Sequence, residues 1–134
     1  MKVYLDTNIL VDFVCKRAPF DEGAKCVFAL GSIGQIDIVI SSLSVVNAIY
    51  IGRKYDLPVV KQRIKSILPF ISVYDLQADV VIKALDAEWK DYEDSVQSMS
   101  AVDSSADFIL TRNKKDFQKS SIPVLSIEEF MSLM

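Results

Sequence analysis

A short apolar segment that runs into a carboxylate and then directly into a helix constrains the fold of this chain most. Lys2–Leu5 has the composition of a β-strand, and Asp6 follows it. After Thr7 and Asn8 a second apolar segment begins, so the stretch reads as the first half of a βαβ unit. Thr7 or Asn8 is the expected N-cap of that helix. Asp6 then lies at the carboxyl end of a strand, where open α/β sheets hold ligands, unless it is only a further capping residue.

The same alternation of strand and helix continues along the chain. Four later segments also have strand composition: Ile36–Ile40, Phe70–Val73, Phe108–Leu110 and Val124–Leu125. Strands that alternate with helices predict a parallel sheet with helices on both faces, which is an α/β fold. The chain has 134 residues and contains no repeat or linker, so we expect residues 1–134 to form a single domain.

Two of the predicted helices carry polar groups of interest. The segment Leu43–Lys54 is apolar nearly all round, which predicts a heavily buried helix with Asn47 in its middle. A later helix is expected from Trp89 to Val102. There Asp91 and Asp94 are three residues apart and so share one helical face. The alternative for this acidic run is a solvated surface.

Composition excludes several classes of function. The chain contains no histidine, and its two cysteines, Cys15 and Cys26, are not in a CxxC pair. A structural zinc site and a nucleophile activated by histidine are therefore excluded. A net charge of −3 and a pI near 4.9 argue against a protein that binds nucleic acid through a global basic field.

The distribution of apolar residues predicts a soluble, cytoplasmic protein. Asp6 interrupts any apolar run at the N-terminus, so no signal peptide is expected. The longest uncharged run, Ile38–Ile51, is too short to span a bilayer and contains serines and an asparagine. We therefore expect no membrane partner.

Polar residues follow a second strand as well. Thr111, Arg112, Asn113 and Asp116 lie just beyond Phe108–Leu110, so they could converge with Asp6 and the acidic helix. Carboxylates gathered without histidine or cysteine suit hard cations such as Mg²⁺ or Mn²⁺. A metal held in this way can generate hydroxide and neutralise charge on a phosphodiester. Without a cation the carboxylates would repel one another, and some of their pKa values should be raised.

Four segments together resemble the PIN domain nucleases, the family that contains the VapC-type toxins. They are VYLDTNILVDF, IVISSLSVVNAIYIG, DYEDSVQSMSAVDSSADFIL and TRNKKDF, and they extend over nearly the whole chain. The resemblance implies a three-layer α/β/α sandwich with a parallel five-stranded sheet in the order 3-2-1-4-5. It also implies a Mg²⁺- or Mn²⁺-dependent endoribonuclease, acting on RNA as the toxin of a toxin–antitoxin pair. An antitoxin protein and a homodimer are then the expected protein partners.

The resemblance also assigns roles to individual residues. Asp6 and Asp94 correspond to metal-binding carboxylates, with Asp91 as an acidic helper. The polar groups expected to hold the carboxylates and water in place are Thr7, Asn8 and Thr111. Arg112 flanks the expected site and could contact phosphate, although a solvated arginine is the simpler interpretation.

Two asparagines depart from the family pattern. The family usually has Glu where this chain has Asn47 and often has Asp where it has Asn113. Both changes remove a negative charge, which makes a second metal doubtful. Asp116 could replace the charge missing at Asn113, or it could only cap the turn before Phe117. We expect Asn47 to face the site, since a buried amide needs partners.

Two other functions remain open. The first is a weakly active or inactive PIN domain that binds RNA or protein, for which Asn47 and Asn113 are the evidence. The second is another Asp-centred α/β protein, such as a phosphatase or a phospho-acceptor receiver. A haloacid-dehalogenase-type phosphatase needs an aspartate two residues after the first, and Asn8 occupies that position.

Overall fold

A computed structural model describes residues 1–134 and contains one parallel five-stranded sheet. The strand order is β3-β2-β1-β4-β5, as the family resemblance implies. The strands are β1 (Lys2–Leu5), β2 (Asp37–Ser41), β3 (Ile71–Tyr74), β4 (Phe108–Leu110) and β5 (Val124–Leu125). The predicted α/β class and the predicted strand order are both confirmed.

Helices connect the strands and cover the sheet. They are α1 (Thr7–Val14), α2 (Asp21–Ser32), α3 (Ser42–Gly52), α4 (Leu57–Ile67), α5 (Ala78–Ala84), α6 (Tyr92–Asp103) and α7 (Ile127–Met131). Short 3-10 turns occupy Leu68–Phe70 and Lys114–Phe117. None of the helices is both long and apolar enough to cross a bilayer.

The central strand β1 separates two apolar clusters. Val3 and Leu5 belong to the larger cluster, which also contains the large buried apolar side chains of α1, α2 and α4. Tyr4 belongs to the smaller cluster, together with Ala101 of α6 and Ile109 of β4. Successive strand residues point to opposite faces, so one apolar tetrapeptide contributes to both layers of the core. This burial on both faces fixes the position of the residue that follows β1.

The register between β1 and β4 brings two polar loops together. Val3 is opposite Phe108 and Leu5 is opposite Leu110, so both strands end at the same level. The chain builds β2 and β3 on one side of β1 and then crosses to β4 on the other side. A crevice forms where the direction of winding reverses, at the carboxyl ends of β1 and β4.

Three local predictions are wrong. The N-cap of α1 is Asp6, whose side chain accepts a hydrogen bond from the Thr7 amide, so neither Thr7 nor Asn8 caps this helix. The extended backbone of β1 continues to Asp6, and this places the cap one residue earlier than expected. Helix α6 begins at Tyr92 and not at Trp89, with Asp91 as its N-cap. Asp91 and Asp94 therefore do not share a helical face.

The prediction that the helix around Asn47 is heavily buried is also wrong. Val46 and Tyr50 of α3 are 65% and 63% exposed, although both are large and apolar. The fully covered positions of this helix are the small residues Ser44, Ala48 and Gly52. Small side chains allow neighbouring helices to approach α3 closely along one stripe, and the opposite stripe faces solvent.

Candidate functional site

Asp6 is buried and held by two neighbouring segments at the end of β1. Its side chain is 6% exposed. The Thr7 amide donates to Oδ1 at 2.8 Å, and the Thr111 hydroxyl donates to Oδ2 at 2.9 Å. The Asp6 amide donates to the Leu110 carbonyl at 3.0 Å, which extends the pairing of β1 with β4. Each carboxylate oxygen keeps lone-pair capacity for a further ligand.

Thr111 links Asp6 to the loop that follows β4. Its hydroxyl donates to Asp6 and accepts a hydrogen bond from the Asn113 amide at 3.0 Å. Thr111 is completely buried, and its own amide is bonded to the Leu125 carbonyl. A single threonine side chain therefore joins β1 to the loop that carries Asn113 and Asp116.

A buried polar network supports Thr7. Its hydroxyl lies 2.7 Å from the Ser44 hydroxyl of α3 and accepts a hydrogen bond from the Gln97 amide of α6 at 3.1 Å. The Tyr4 hydroxyl donates in turn to the Gln97 side-chain oxygen. Gln97 is 1% exposed, so its amide group needs these partners. The network connects β1 and the first residue of α1 to α3 and α6.

Asp6 and Asp94 lie along one open cleft at the crevice between β1 and β4, with a volume of about 390 Å³. Other acidic and amide side chains also line it: Asn8, Asn47, Asp91, Glu93, Asn113 and Asp116. The structure therefore brings together most of the residues predicted from the sequence. Thr111 reaches the cleft through its hydrogen bond to Asp6.

The two principal carboxylates have raised pKa values, chiefly because they are buried. Burial raises the pKa of Asp6 to about 6, although hydrogen bonds from Thr111 and Thr7 act in the opposite direction. Burial is also the largest cause for Asp94, and the charges of Asp91 and Asp6 add to it and raise its pKa to about 7. Both carboxylates would be stabilised by a cation.

Asp91 is a capping residue at the edge of the cleft. Its Oδ1 accepts a hydrogen bond from the Asp94 amide at 3.0 Å, and its side chain is exposed. By ending the loop before α6, Asp91 sets the position of Asp94 in the first turn. Its proximity to the cleft was predicted, but its bond to the helix terminus was not.

The two asparagines that replace acids have different surroundings. Asn47 donates from Nδ2 to Glu93 Oε1 at 2.7 Å and so joins α3 to α6. Asn113 precedes the 3-10 turn, and its side chain makes no capping bond. Asp116 lies within that turn and lines the cleft without a side-chain hydrogen bond to the backbone. The interpretation of Asp116 as a capping residue is therefore wrong.

Arg112 is held by a carboxylate on the other side of the loop. Asp12 of α1 is 2% exposed and accepts hydrogen bonds from Arg112 Nε at 2.8 Å and from Arg17 Nε at 2.8 Å. Arg112 also lies over the Phe20 ring, 4.0 Å from its centroid. Arg17 in turn donates to the Asn8 side chain at 3.2 Å. These contacts tie Arg112 and Asn8 to the fold; contact of Arg112 with phosphate stays a prediction.

A second cavity of about 480 Å³ adjoins the cleft and shares Asp91, Asp94 and Asp116 with it. Three lysines and a tryptophan line the rest of this cavity together with Glu88 and Gln118: Trp89, Lys90, Lys115 and Lys119. The Trp89 ring is held edge-on against Phe117, with a centroid distance of 6.0 Å. Positive side chains thus lie immediately beside the acidic cleft.

The donor set of the cleft fits a hard cation in its chemistry. Its potential ligand atoms are carboxylate, amide and hydroxyl oxygens, and oxygen is the ligand atom that Mg²⁺ and Mn²⁺ prefer. No three acidic side chains approach closely enough to form a ready-made cage. Mg²⁺ keeps several water molecules and uses only one or two carboxylates, so Asp6 and Asp94 suffice for a hydrated ion.

Sequence reasoning missed three residues that contribute to the site. Gln97 lies three residues after Asp94 and therefore on the same side of α6, which a search for buried polar groups on that stripe could have found. Ser44 and Glu93 gave no such signal. Their positions depend on how α3 and α6 face each other across the end of β1, and the sequence does not specify this.

Comparison with known proteins finds a matching family and similar solved structures that extend over most of the chain. The family model described as PIN domain matches residues 2–115. No curated protein matches the chain. Two solved structures resemble it with a TM-score of 0.67. VapBC2 from Rickettsia felis, bound to a promoter DNA fragment, is 17% identical and is matched over 94% of this chain and 98% of that one. A toxin–antitoxin complex from Klebsiella pneumoniae is 26% identical and is matched over 93% and 97%.

A third solved structure resembles the chain at lower sequence identity. VapC20 from Mycobacterium tuberculosis, described as a toxin that cleaves the sarcin–ricin loop, has a TM-score of 0.63 and 11% identity. The match extends over 80% of this chain and 86% of that chain. At this identity the resemblance concerns the fold alone.

Proposed function

We infer that this chain, which belongs to the PIN domain family, is a metal-dependent endoribonuclease that hydrolyses phosphodiester bonds with Mg²⁺ or Mn²⁺. The observation that carries this proposal is the cleft at the crevice between β1 and β4. There Asp6 and Asp94 lie among further carboxylate and amide side chains, and both have raised pKa values. The order of the strands places this cleft where α/β sheets bind ligands.

Two residues of the cleft would hold the cation, and others fix the positions of their side chains. Asp6 and Asp94 would hold the cation, which when bound supplies an activated water and neutralises charge on the phosphodiester. Thr111 and the Thr7 amide fix both oxygens of Asp6. Gln97 and Ser44 fix the Thr7 hydroxyl from two different helices. Such partners orient ligands and strengthen metal binding.

The cavity beside the cleft is suited to the flanking nucleotides of an RNA. Lys90, Lys115 and Lys119 can neutralise phosphates, and the exposed part of Trp89 offers a surface for a base. A phosphodiester backbone that ran from this cavity into the cleft would pass Asp94 and Asp116, which line both. The three lysines support contact with RNA phosphates at this place, despite the net negative charge of the chain.

Cleavage of RNA by the purified protein tests the proposal. The substrates should include structured and single-stranded RNA, with Mg²⁺ or Mn²⁺ present and then removed by a chelator. We expect activity that disappears with the chelator and in Asp6→Asn. The control Asp37→Asn removes an exposed carboxylate whose side chain makes no hydrogen bond or ion pair, and it should cleave normally. Equal cleavage by Asp6→Asn and Asp37→Asn would refute the assignment of the site.

We further propose that the chain is the toxin of a toxin–antitoxin pair. The structural similarity to VapBC2 from Rickettsia felis and to the toxin–antitoxin complex from Klebsiella pneumoniae supports this. The exposed apolar side chains of α3 and α4, Val46, Tyr50 and Val59, are candidates for contact with an antitoxin or a second copy. Induced expression in a bacterium should arrest growth, and Asp6→Asn should abolish the arrest. Growth arrest that persists in Asp6→Asn would separate toxicity from the cleft.

The neutral side chains of Asn47 and Asn113 support a second candidate, an inactive PIN domain that binds RNA or protein. A metal titration discriminates between the two, because only a ligand bound to the native state raises its melting temperature. A native protein with no Mn²⁺-dependent rise, but an Asn47→Glu variant that shows one, would favour the binding module.

A further inference from the structure

A third cavity, which we call the α5–α6 cavity, lies farther along α6 from the acidic cleft. Its volume is about 400 Å³, which is within the range of ligand pockets. Residues of α5, of α6 and of the segment after the second 3-10 turn form its walls. Four of its side chains are apolar: Val80, Trp89, Met99 and Val102.

The α5–α6 cavity adjoins the lysine-lined cavity beside the cleft, because Trp89 and Lys119 line both. One face of α6 carries, at intervals of four residues, Asp94, Ser98 and Val102. Asp94 lines the cleft, whereas Ser98 and Val102 line the α5–α6 cavity. A distance of about 6 Å along the helix axis therefore separates a residue proposed to hold the cation from the wall of this cavity.

Packing does not explain the hydroxyl group of Ser98. Ser98 is 4% exposed and lines the cavity, yet its side chain forms no hydrogen bond with the rest of the chain. A helical serine can donate to the carbonyl four residues earlier, and buried polar groups nearly always have a partner. A hydroxyl both donates and accepts, so this one indicates a ligand with polar atoms in the cavity.

The polar rim of the cavity suits a nucleobase better than a phosphate. Two lysines and two aspartates contribute to it, with Ser121 as a second hydroxyl: Lys83, Lys119, Asp79 and Asp103. A phosphate would meet both carboxylates there. The edge of a base, by contrast, carries amino groups that donate to carboxylates and oxygens or nitrogens that accept from lysines. The aromatic and apolar wall complements the face of a base.

We propose that the α5–α6 cavity accommodates one unpaired base of an RNA whose backbone lies in the acidic cleft. The base would pack against Trp89 and Met99, and the Ser98 hydroxyl would form a hydrogen bond with its edge. Unpaired bases expose these edges, and sequence-specific recognition of RNA usually targets them. The inference rests on the proposed action on RNA and makes Ser98 a specificity-determining residue. The competing explanation is a cavity that only water fills.

Trp89 is the only tryptophan of the chain, so its fluorescence reports on this region without a label. Single-stranded RNAs that each contain one type of base are titrated into the protein in a chelating buffer. A ribose-phosphate oligomer of the same length without bases is the matched ligand control. We expect the RNAs to quench the fluorescence, with affinities that differ between bases, and the abasic oligomer to leave it unchanged. Equal quenching by the abasic oligomer would refute the proposal.

Variants at Ser98 and Val102 locate the base, since neither residue lines the lysine-lined cavity. Val102→Phe fills the α5–α6 cavity and should weaken RNA binding at least about fivefold, as does the loss of one stacked base. Its control is Val73→Phe, at an exposed position of β3 outside these cavities. Ser98→Ala should weaken binding of the preferred RNA about threefold to tenfold. Its control, Ser72→Ala, removes an exposed hydroxyl without a partner.

Melting temperatures separate recognition of a base from a structural role of Ser98. The hydroxyl has no partner in the free protein, so Ser98→Ala should not lower the melting temperature. A lower melting temperature with unchanged affinity for RNA would show that Ser98 acts only in the fold, and it would refute the proposal.

The remaining outcomes distinguish this inference from the function on which it rests. Base-dependent quenching that is lost in Val102→Phe and kept in Val73→Phe supports the base pocket, even if no RNA is cleaved after Mg²⁺ is added. If the natural protein cleaves RNA but Val102→Phe and Ser98→Ala bind it like their controls, the pocket is refuted and the nuclease stands. A natural protein that neither binds nor cleaves any of the RNAs would refute both.

Discussion

Asp12 offers the sharpest test of how the site loop is stabilised. Its carboxylate is 2% exposed and lies 2.8 Å from nitrogens of both Arg17 and Arg112. Arg112 directly follows Thr111, whose hydroxyl fixes Asp6. One buried acid therefore connects α1 to the loop after β4. Asp12→Asn retains the shape of the side chain and removes its charge.

The expected cost follows from the burial of the three partners. Removing one member of a buried ion pair costs about 3–5 kcal/mol, since the remaining charge is left without a partner. Here the arginines are 24% and 30% exposed and can regain water, so we expect the lower end, about 3 kcal/mol. The entropy of unfolding scales with chain length, so for 134 residues this corresponds to a fall of about 10 °C in melting temperature.

Thermal unfolding followed by circular dichroism in a chelating buffer measures this change. The matched control Asp37→Asn alters an exposed acid without side-chain partners and should change the free energy of unfolding by less than about 0.5 kcal/mol. A double-mutant cycle of Asp12→Asn with Arg112→Met should give a coupling energy of about 0.5–3 kcal/mol. If Asp12→Asn has the same melting temperature as Asp37→Asn, the cost of desolvating Asp12 equals the gain from its ion pairs, and the predicted loss of stability is refuted.

Three further substitutions test other parts of the structure. Asp94→Asn should stabilise the metal-free protein by about 1 kcal/mol at pH 8, after allowance for solvent screening. Because the pKa of Asp94 is raised to about 7, its protonation stabilises the folded state. This contribution to the free energy of unfolding is complete below pH 4 and is lost as the pH rises through 7. A difference in melting temperature between the natural protein and Asp94→Asn that is the same at pH 4 and pH 8 would contradict this. Gly52→Ala would place a Cβ 2.9 Å from Val60 Cγ1, and we expect a net loss of about 1 kcal/mol in a denaturant titration, because overpacking outweighs the gain in helix propensity. Ser126→Ala removes the capping box of α7, which Ser126 forms with Glu129, and should cost about 1 kcal/mol. An unchanged denaturation midpoint in either of the last two variants would count against the corresponding contact.

The sequence was sufficient to predict the sheet and the position of Asp6. Short apolar segments buried on both faces leave few alternatives for their neighbours, so the residue after β1 is fixed once the strand is recognised. Pattern alone was less reliable for helix ends. The start of α6 at Tyr92 converts Asp91 from a residue on a helical face into a cap, and an error of this size is inherent in reading boundaries from sequence.

The partners of side chains across different elements could not be predicted. The apolar composition of α3 suggested full burial, but composition does not say which side its neighbours cover, and Val46 and Tyr50 are exposed. The hydrogen bond from Asn47 to Glu93 depends on the separation of α3 and α6. In the sequence, Asn47 is a neutral residue at a position where an acid was expected. In the fold, its side chain contacts the carboxyl group of Glu93.

The dependence of Asp6 on Thr111 has a consequence for the order in which the chain is synthesised. Asp6 is among the first residues to be made, yet the hydroxyl that fixes its Oδ2 comes 105 residues later. Asp94 and Asp116 are also late in the chain. A nascent polypeptide that has completed β1, β2 and β3 therefore carries an incomplete cleft, and any activity of the cleft would begin only after β4 has paired with β1. Truncation before Thr111 should leave a product without activity. In a cell that makes this protein, any activity of the cleft would therefore begin only when translation is nearly finished.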